Sequence, residues 1–299
     1  MIRSRPALLA LLAASASLLS ACGSGATAGD DGTSRVVAAF YPMEYVTKQV
    51  GGDRVTVTNL VRPGAEPHDL ELQPSQMAEL GKADLVVYLR GFQPAVDAGV
   101  DQQASGHAID TAAVQPLQDA PPGAEDHGKD PHIWLDPIRL ATVADKVADR
   151  LAQRDSAHAA DIRDRATKLR GELEALDKEY ATGLARCQRH EIVTSHAAFG
   201  YLAARYKLTQ IPITGLNPEE EPTPQHLATV AARARQYAAT TIFFETLVSP
   251  KVAETLAKEV GAKAEMLDPL EGIKAGSSDD YLSVMRSNLT KLRTALGCA

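Results

Sequence analysis

Residues 155–186 read DSAHAADIRDRATKLRGELEALDKEYATGLAR, and the way this stretch divides the chain decides the fold. Apolar side chains fall at Ile162, Ala166, Leu169, Leu173, Leu176, Tyr180 and Leu184. Steps of three and four keep them on one face of a helix. Asp155 is a suitable N-cap, and no proline occurs between Pro137 and Pro212. The spacing predicts a helix from about 156 to 186, roughly 45 Å long at 1.5 Å per residue. A connector of that length crosses the molecule once and leaves little room for a wide hinge.

Outward from this helix, both flanks alternate short β-rich runs with helical ones. Strands are expected at 35–40, 55–61, 84–89 and 107–110, then at 191–194, 209–213, 240–245 and 263–267. Helices are expected at 42–50, 74–82 and 92–100, then at 198–206, 223–238, 250–260 and 279–296. Strands separated by helices imply βαβ units. The expected class is therefore α/β, with two lobes, each a mostly parallel sheet flanked by helices, joined by one long rigid helix. The lobes span 35–137 and 188–299, and the connecting helical segment spans 138–187. Residues 120–129, which begin Ala-Pro-Pro-Gly and turn acidic, read as a loop.

The chain has 299 residues, 44 % of them hydrophobic and 23 % charged, a globular rather than disordered composition. Its net charge is −7 with no Lys/Arg-rich run, which argues against nucleic acid as partner. Residues 1–22 differ from the rest. Arg3 and Arg5 precede an apolar core from Ala7 to Leu19, too short to span a bilayer and suited to export. The closing Leu19-Ser20-Ala21-Cys22 resembles a bacterial lipobox, whose Cys22 thiol would carry a lipid. Residues 23–34 then form a flexible tether. Outside the cell membrane disulfides persist, and the two remaining cysteines, Cys187 and Cys298, are expected to pair.

Four polar residues stand where a cleft would lie. His68 sits in Ala-Glu-Pro-His-Asp, His132 in Asp-Pro-His-Ile-Trp, His196 in Thr-Ser-His-Ala-Ala, and Asp268 in Leu-Asp-Pro-Leu. His196 and Asp268 follow expected strands, and ligands in open α/β sheets gather at the carboxyl ends of strands. Three imidazoles and a carboxylate can close around a borderline divalent ion. His127, in the acidic loop, is a candidate accessory ligand.

At these positions the chain resembles the metal-specific substrate-binding proteins of ABC importers, the group that carries zinc or manganese. The matching stretches are Pro63-Gly64-Ala65-Glu66-Pro67-His68-Asp69, Asp130-Pro131-His132-Ile133-Trp134-Leu135-Asp136-Pro137, Thr194-Ser195-His196-Ala197-Ala198-Phe199-Gly200-Tyr201, Glu219-Glu220-Glu221-Pro222 and Asp268-Pro269-Leu270. They occur in the family's order over about residues 35 to 298. The resemblance implies metal held between two lobes by His68, His132, His196 and Asp268. It also implies zinc rather than manganese or iron, because zinc binders carry His at the third position and the others carry Glu. Imidazole suits Zn²⁺, whereas Mn²⁺ favours oxygen.

Two departures stand out. The loop before the second motif holds only His127, where many zinc-binding relatives carry a His-rich run. Some relatives use a Glu just before the first His as a ligand, which leaves Glu66 as an alternative to Asp268. Glu66, Asp136 and Glu245 are candidates to hydrogen-bond the ligand imidazoles from behind, and Asp136 and Glu245 serve equally well as a helix cap or surface pair. Trp134 is expected to pack beside the site.

The expected function is extracytoplasmic capture of Zn²⁺ by a monomer, lipid-anchored to the cell membrane through Cys22, for delivery to an ABC permease and its ATPase subunit. A manganese or iron receptor of the same family is the nearest alternative. A zinc hydrolase would use three His plus water, with Asp268 as base. However, His190-Glu191-Ile192-Val193-Thr194 ends in Thr where a zinc peptidase needs a second ligand, and no G-x-S-x-G occurs. The expectation is a protein that is not an enzyme. A surface adhesin would instead present an exposed apolar patch and bind its partner independently of zinc.

Overall fold

Eight strands and ten α-helices build the described part of the protein, a computed structural model that describes residues 32–121 and 128–299. The leader at 1–22 with Cys22, tether residues 23–31 and His127 lie outside the described residues. The first sheet takes β1 (Ser34–Ala38), β2 (Val55–Asn59), β3 (Leu85–Tyr88) and β4 (Ala108–Asp110) in the order β2-β1-β3-β4. The second repeats that order as β6-β5-β7-β8, with β5 (Glu191–Thr194), β6 (Thr209–Pro212), β7 (Thr241–Phe244) and β8 (Lys263–Met266). All pairings are parallel, for example Val37 beside Thr58 and Val86, and Val193 beside Ile211 and Ile242. Parallel neighbours require crossovers, which the helices provide.

In the first half the helices are α1 (Tyr41–Gly51), α2 (Pro74–Lys82), α3 (Pro94–Gln103) and α4 (Thr111–Val114). Then follow α5 (Pro137–Arg154) and α6 (Ala159–Gly183). The second half has α7 (Gly200–Tyr206), α8 (Pro224–Gln236), α9 (Lys251–Val260) and α10 (Tyr281–Leu296). Five helices, α1, α2, α3, α5 and α8, carry proline in the first turn, where its missing N–H costs nothing. Asp136 caps α5 and Thr223 caps α8 through backbone N–H groups. The long helix α6 buries Ile162, Ala166, Leu169, Leu173, Leu176 and Tyr180 as the spacing predicts. It starts three residues later than expected, because Ser156–His158 form a 3₁₀ turn closed onto the Asp155 carboxylate. Its 25 residues span about 37 Å.

The larger core is continuous across both halves, from Val86 and Trp134 through Leu173 and Tyr180 to Phe243 and Met285. A smaller cluster, including Val193, Ile211, Val230 and Leu256, fills the space between the second sheet and α8 and α9. Cys187 and Cys298 are joined, tying the end of the chain to the entry of β5 across 111 residues. No helix among the described residues is long and apolar enough to cross a membrane. The carboxyl ends of β2 and β5 lead toward the loops that hold His68 and His196.

Candidate metal centre

His68, His132, His196 and Glu271 come together, each offering a ligand atom within 4.8 Å of the others. All four are buried, His132 and His196 completely. The ring centroids of the three histidines lie 5.2 to 5.7 Å apart. Nε2 of His196 is 3.4 Å from Nε2 of His132 and 3.0 Å from Oε1 of Glu271, and Nε2 of His132 is 3.2 Å from that same oxygen. Four donors about 2.0–2.2 Å from one tetrahedral ion would stand roughly 3.3–3.6 Å from one another. The three donor atoms of His132, His196 and Glu271 stand close to that spacing, and a donor of His68 lies within 4.8 Å of them. Nε2 of His68 and Oε2 of Glu271 are buried without a hydrogen-bond partner. Such atoms are costly unless something else satisfies them.

Each imidazole is turned inward by a carboxylate behind it. In Glu66-Pro67-His68, the Glu66 carboxylate accepts from the His68 backbone N–H at 2.9 Å and also contacts its Nδ1. Asp130-Pro131-His132 repeats the device, with Asp130 Oδ1 2.9 Å from the His132 backbone nitrogen and 2.8 Å from Nδ1. His196, just after β5, has its Nδ1 2.9 Å from the Glu245 carboxylate, which also accepts from Ser195 Oγ at 2.6 Å. Bonding at Nδ1 leaves Nε2 of His132 and of His196 facing each other and Glu271, the arrangement that orients histidine as a metal ligand.

The fourth position corrects the sequence reading. Asp268 is not in the group. Its carboxylate turns back to accept from the Leu270 N–H at 2.8 Å and from Thr246 Oγ1 at 3.4 Å. An Asp that accepts from the N–H two residues on is a turn former. Here it folds the chain through Pro269 and Leu270, whose φ of 59° is left-handed, and delivers Glu271 instead. Asp136 is likewise removed from the imidazoles: it accepts from Ile138 and Arg139 N–H at the start of α5 and pairs with Arg205. Glu66 stands behind His68 and is not a member of the four. Asp130 is the partner the sequence reading missed, although the shared acid-Pro-His pattern at 66–68 and 130–132 marks it. Trp134 packs beside His132, with centroids 5.1 Å apart.

Electrostatics bind the cluster together. Burial alone would lower the pKa of His196, but the carboxylates of Glu245 and Glu271 outweigh it and lift it well above 6.5. His132 is raised for the same reason, burial being overcome by Asp130 and Glu271. Burial would raise Glu271, yet His68 and His196 hold it well below the usual carboxylate range. The carboxylates that raise the two imidazoles would equally favour a bound cation among them. A cavity of about 460 Å³ between the halves, lined by Tyr41, Glu44, Arg62, Glu271 and Lys274, reaches the cluster at Glu271.

The family of the periplasmic zinc-uptake complex component A, ZnuA, matches residues 36–295. The chain belongs to this family. Its members are zinc-type substrate-binding proteins of ABC importers, extracytoplasmic and not enzymes. The high-affinity zinc uptake system protein ZnuA of Bacillus subtilis is 34 % identical over 96 % of this chain and 97 % of its own. The zinc-binding lipoprotein AdcA of Streptococcus pneumoniae is 34 % identical over 88 % of this chain, which spans 56 % of that longer protein. In structure, the laminin-binding adhesin Lmb of Streptococcus agalactiae superposes with a TM-score of 0.80 at 34 % identity, covering 89 % of this chain and 100 % of that one. The Zn(II)-bound ZnuA-like domain of AdcA gives 0.76 at 33 % identity, over 89 % of this chain and 99 % of that domain.

Proposed function

We propose that this protein captures Zn²⁺ outside the cytoplasm with His68, His132, His196 and Glu271 and delivers it to a membrane permease driven by an ATPase. The observation that carries this reading is the buried group of three imidazoles and one carboxylate at mutual distances that suit tetrahedral zinc. Zinc here is cargo. Four protein ligands close the coordination sphere, whereas a catalytic zinc keeps one position for water. Three nitrogens also favour zinc over manganese, which prefers oxygen. We further propose that residues 1–22 are a lipoprotein signal, that Cys22 carries the anchor and that 23–34 form its tether, a reading supported by the lipoprotein AdcA. The protein acts as a monomer, with lobes at 35–137 and 188–299 about the helical segment 138–187.

The test is a titration of metal-stripped mature protein with Zn²⁺ and Mn²⁺, for wild type and His196→Glu. Wild type is expected to bind one zinc per chain and manganese weakly, and His196→Glu to narrow the difference. Equal affinity for the two metals in wild type rejects zinc selectivity at this site.

A further inference from the structure

The segment that carries His132 belongs by sequence to the first half, but hydrogen bonds to the second half hold it at three points. Tyr201 Oη donates to the Asp130 carbonyl at 2.9 Å, Trp134 Nε1 to the Pro269 carbonyl at 2.7 Å, and Tyr281 Oη to the Trp134 carbonyl at 2.6 Å. Tyr201 Oη also accepts from the Gln118 N–H at 2.8 Å. Next to Tyr201, a Cβ on Gly200 would lie 2.4 Å from Asp130 Oδ2, well inside van der Waals contact. Gly200 has ordinary right-handed angles, φ −57° and ψ −47°, so its backbone would suit any residue. What the position excludes is a side chain against the Asp130 carboxylate.

Resting on the zinc-capture reading, we infer that Gly200 and Tyr201 are positioning residues for zinc: the bare Gly200 leaves the Asp130 carboxylate its place and Tyr201 anchors the Asp130 main chain, so that Oδ1 stays where it fixes the His132 ring. Asp130 is 1 % exposed, and its Oδ1 meets both the backbone nitrogen and Nδ1 of His132. A cavity of about 490 Å³, lined by Asp130, Gly200, Gln210 and Arg233 among others, adjoins this contact. A methyl group at position 200 therefore has somewhere to push the carboxylate, which makes the substitution tolerable to the fold and damaging to His132.

The experiment compares wild type, Gly200→Ala, Tyr201→Phe, Asp130→Ala and the Gly200→Ala/Asp130→Ala pair in the mature chain. Zinc affinity is measured by chelator competition, the ligand geometry by the visible absorption of Co²⁺-loaded protein, and the fold by melting of the metal-free form. Gly200→Ala is expected to weaken zinc by about 10–100-fold, as loss of an outer hydrogen-bond partner does, and to shift the Co²⁺ bands. In the Asp130→Ala background it should add almost nothing. Tyr201→Phe should cost about threefold to tenfold, the loss of one hydrogen bond, and carries the test if Gly200→Ala does not fold. Unchanged affinity and Co²⁺ bands in the folded variants overturn the inference, as does an effect of Gly200→Ala that adds in full to that of Asp130→Ala. Failure of wild type to bind zinc overturns the underlying reading, and with it the inference, before any variant is compared.

Discussion

Glu271 and Asp268 stand three residues apart and do different work, which a pair of substitutions separates. Glu271→Ala removes a member of the cage and leaves three imidazoles facing one another. It is expected to weaken zinc by more than the about 10–100-fold that follows loss of an outer partner. Asp268→Asn keeps an oxygen to accept from the Leu270 N–H and should leave affinity within a few-fold. Chelator competition on both variants decides this, and the reverse order would restore Asp268 as the ligand. The proton is the other competitor. Without metal, His132 and His196 keep their protons to pH values above the ordinary 6.5, because Asp130, Glu245 and Glu271 outweigh the effect of burial. Zinc must displace these protons, so its affinity rises with pH through and above 6.5 and falls as pH drops. Titrations between pH 5.5 and 8.5 check the slope; a flat profile contradicts it. Three of the four cage residues were legible because His68, His132 and His196 each sit in a distinctive motif. Glu271 was not, since Glu271-Gly272-Ile273 has no pattern of its own and only the turn at Leu270 brings it inward.

At the scale of elements, Asp136 shows how a residue near the site serves the scaffold. Its carboxylate accepts from the N–H groups of Ile138 and Arg139 and pairs with Arg205 at 3.4 Å. Asp136→Ala is expected to destabilise the protein by about 1–2 kcal/mol, the range for loss of a helix N-cap, with little effect on zinc affinity. Denaturant unfolding of the metal-free form measures it, and a large zinc effect with no change in stability would return Asp136 to the site. The eight strands and most helices were legible, because β-branched runs, first-turn prolines and the steps of three and four in α6 are local signals. α4 was missed: it has only four residues, too few for a helical period to register. The start of α6 shifted because the carboxylate of Asp155 closes a 3₁₀ turn before the helix proper begins.

For the whole molecule, one core running through both halves means that a ligand joining them stabilises everything at once. Zinc at 1,000 times its Kd should add about 4 kcal/mol to stability by mass action. Calorimetry should therefore show a higher melting temperature with zinc for wild type, and little gain for Glu271→Ala at the same zinc concentration. Equal gains in both would place the stabilising ion elsewhere. The Cys187–Cys298 bond acts on the same scale by closing a 111-residue loop, worth up to about 4–5 kcal/mol in the chain-entropy view. By itself the sequence determined the α/β class, the long connecting helix, the pairing of the cysteines and three imidazoles for a metal. These depend on periodicity, residue chemistry and short motifs, all of which are local. Only the tertiary structure decided that Glu271 joins the three imidazoles and that Tyr201 reaches across to the Asp130 carbonyl. Those are contacts between residues up to about 200 positions apart, set by how the two sheets pack around a shared core, and no local pattern encodes that distance.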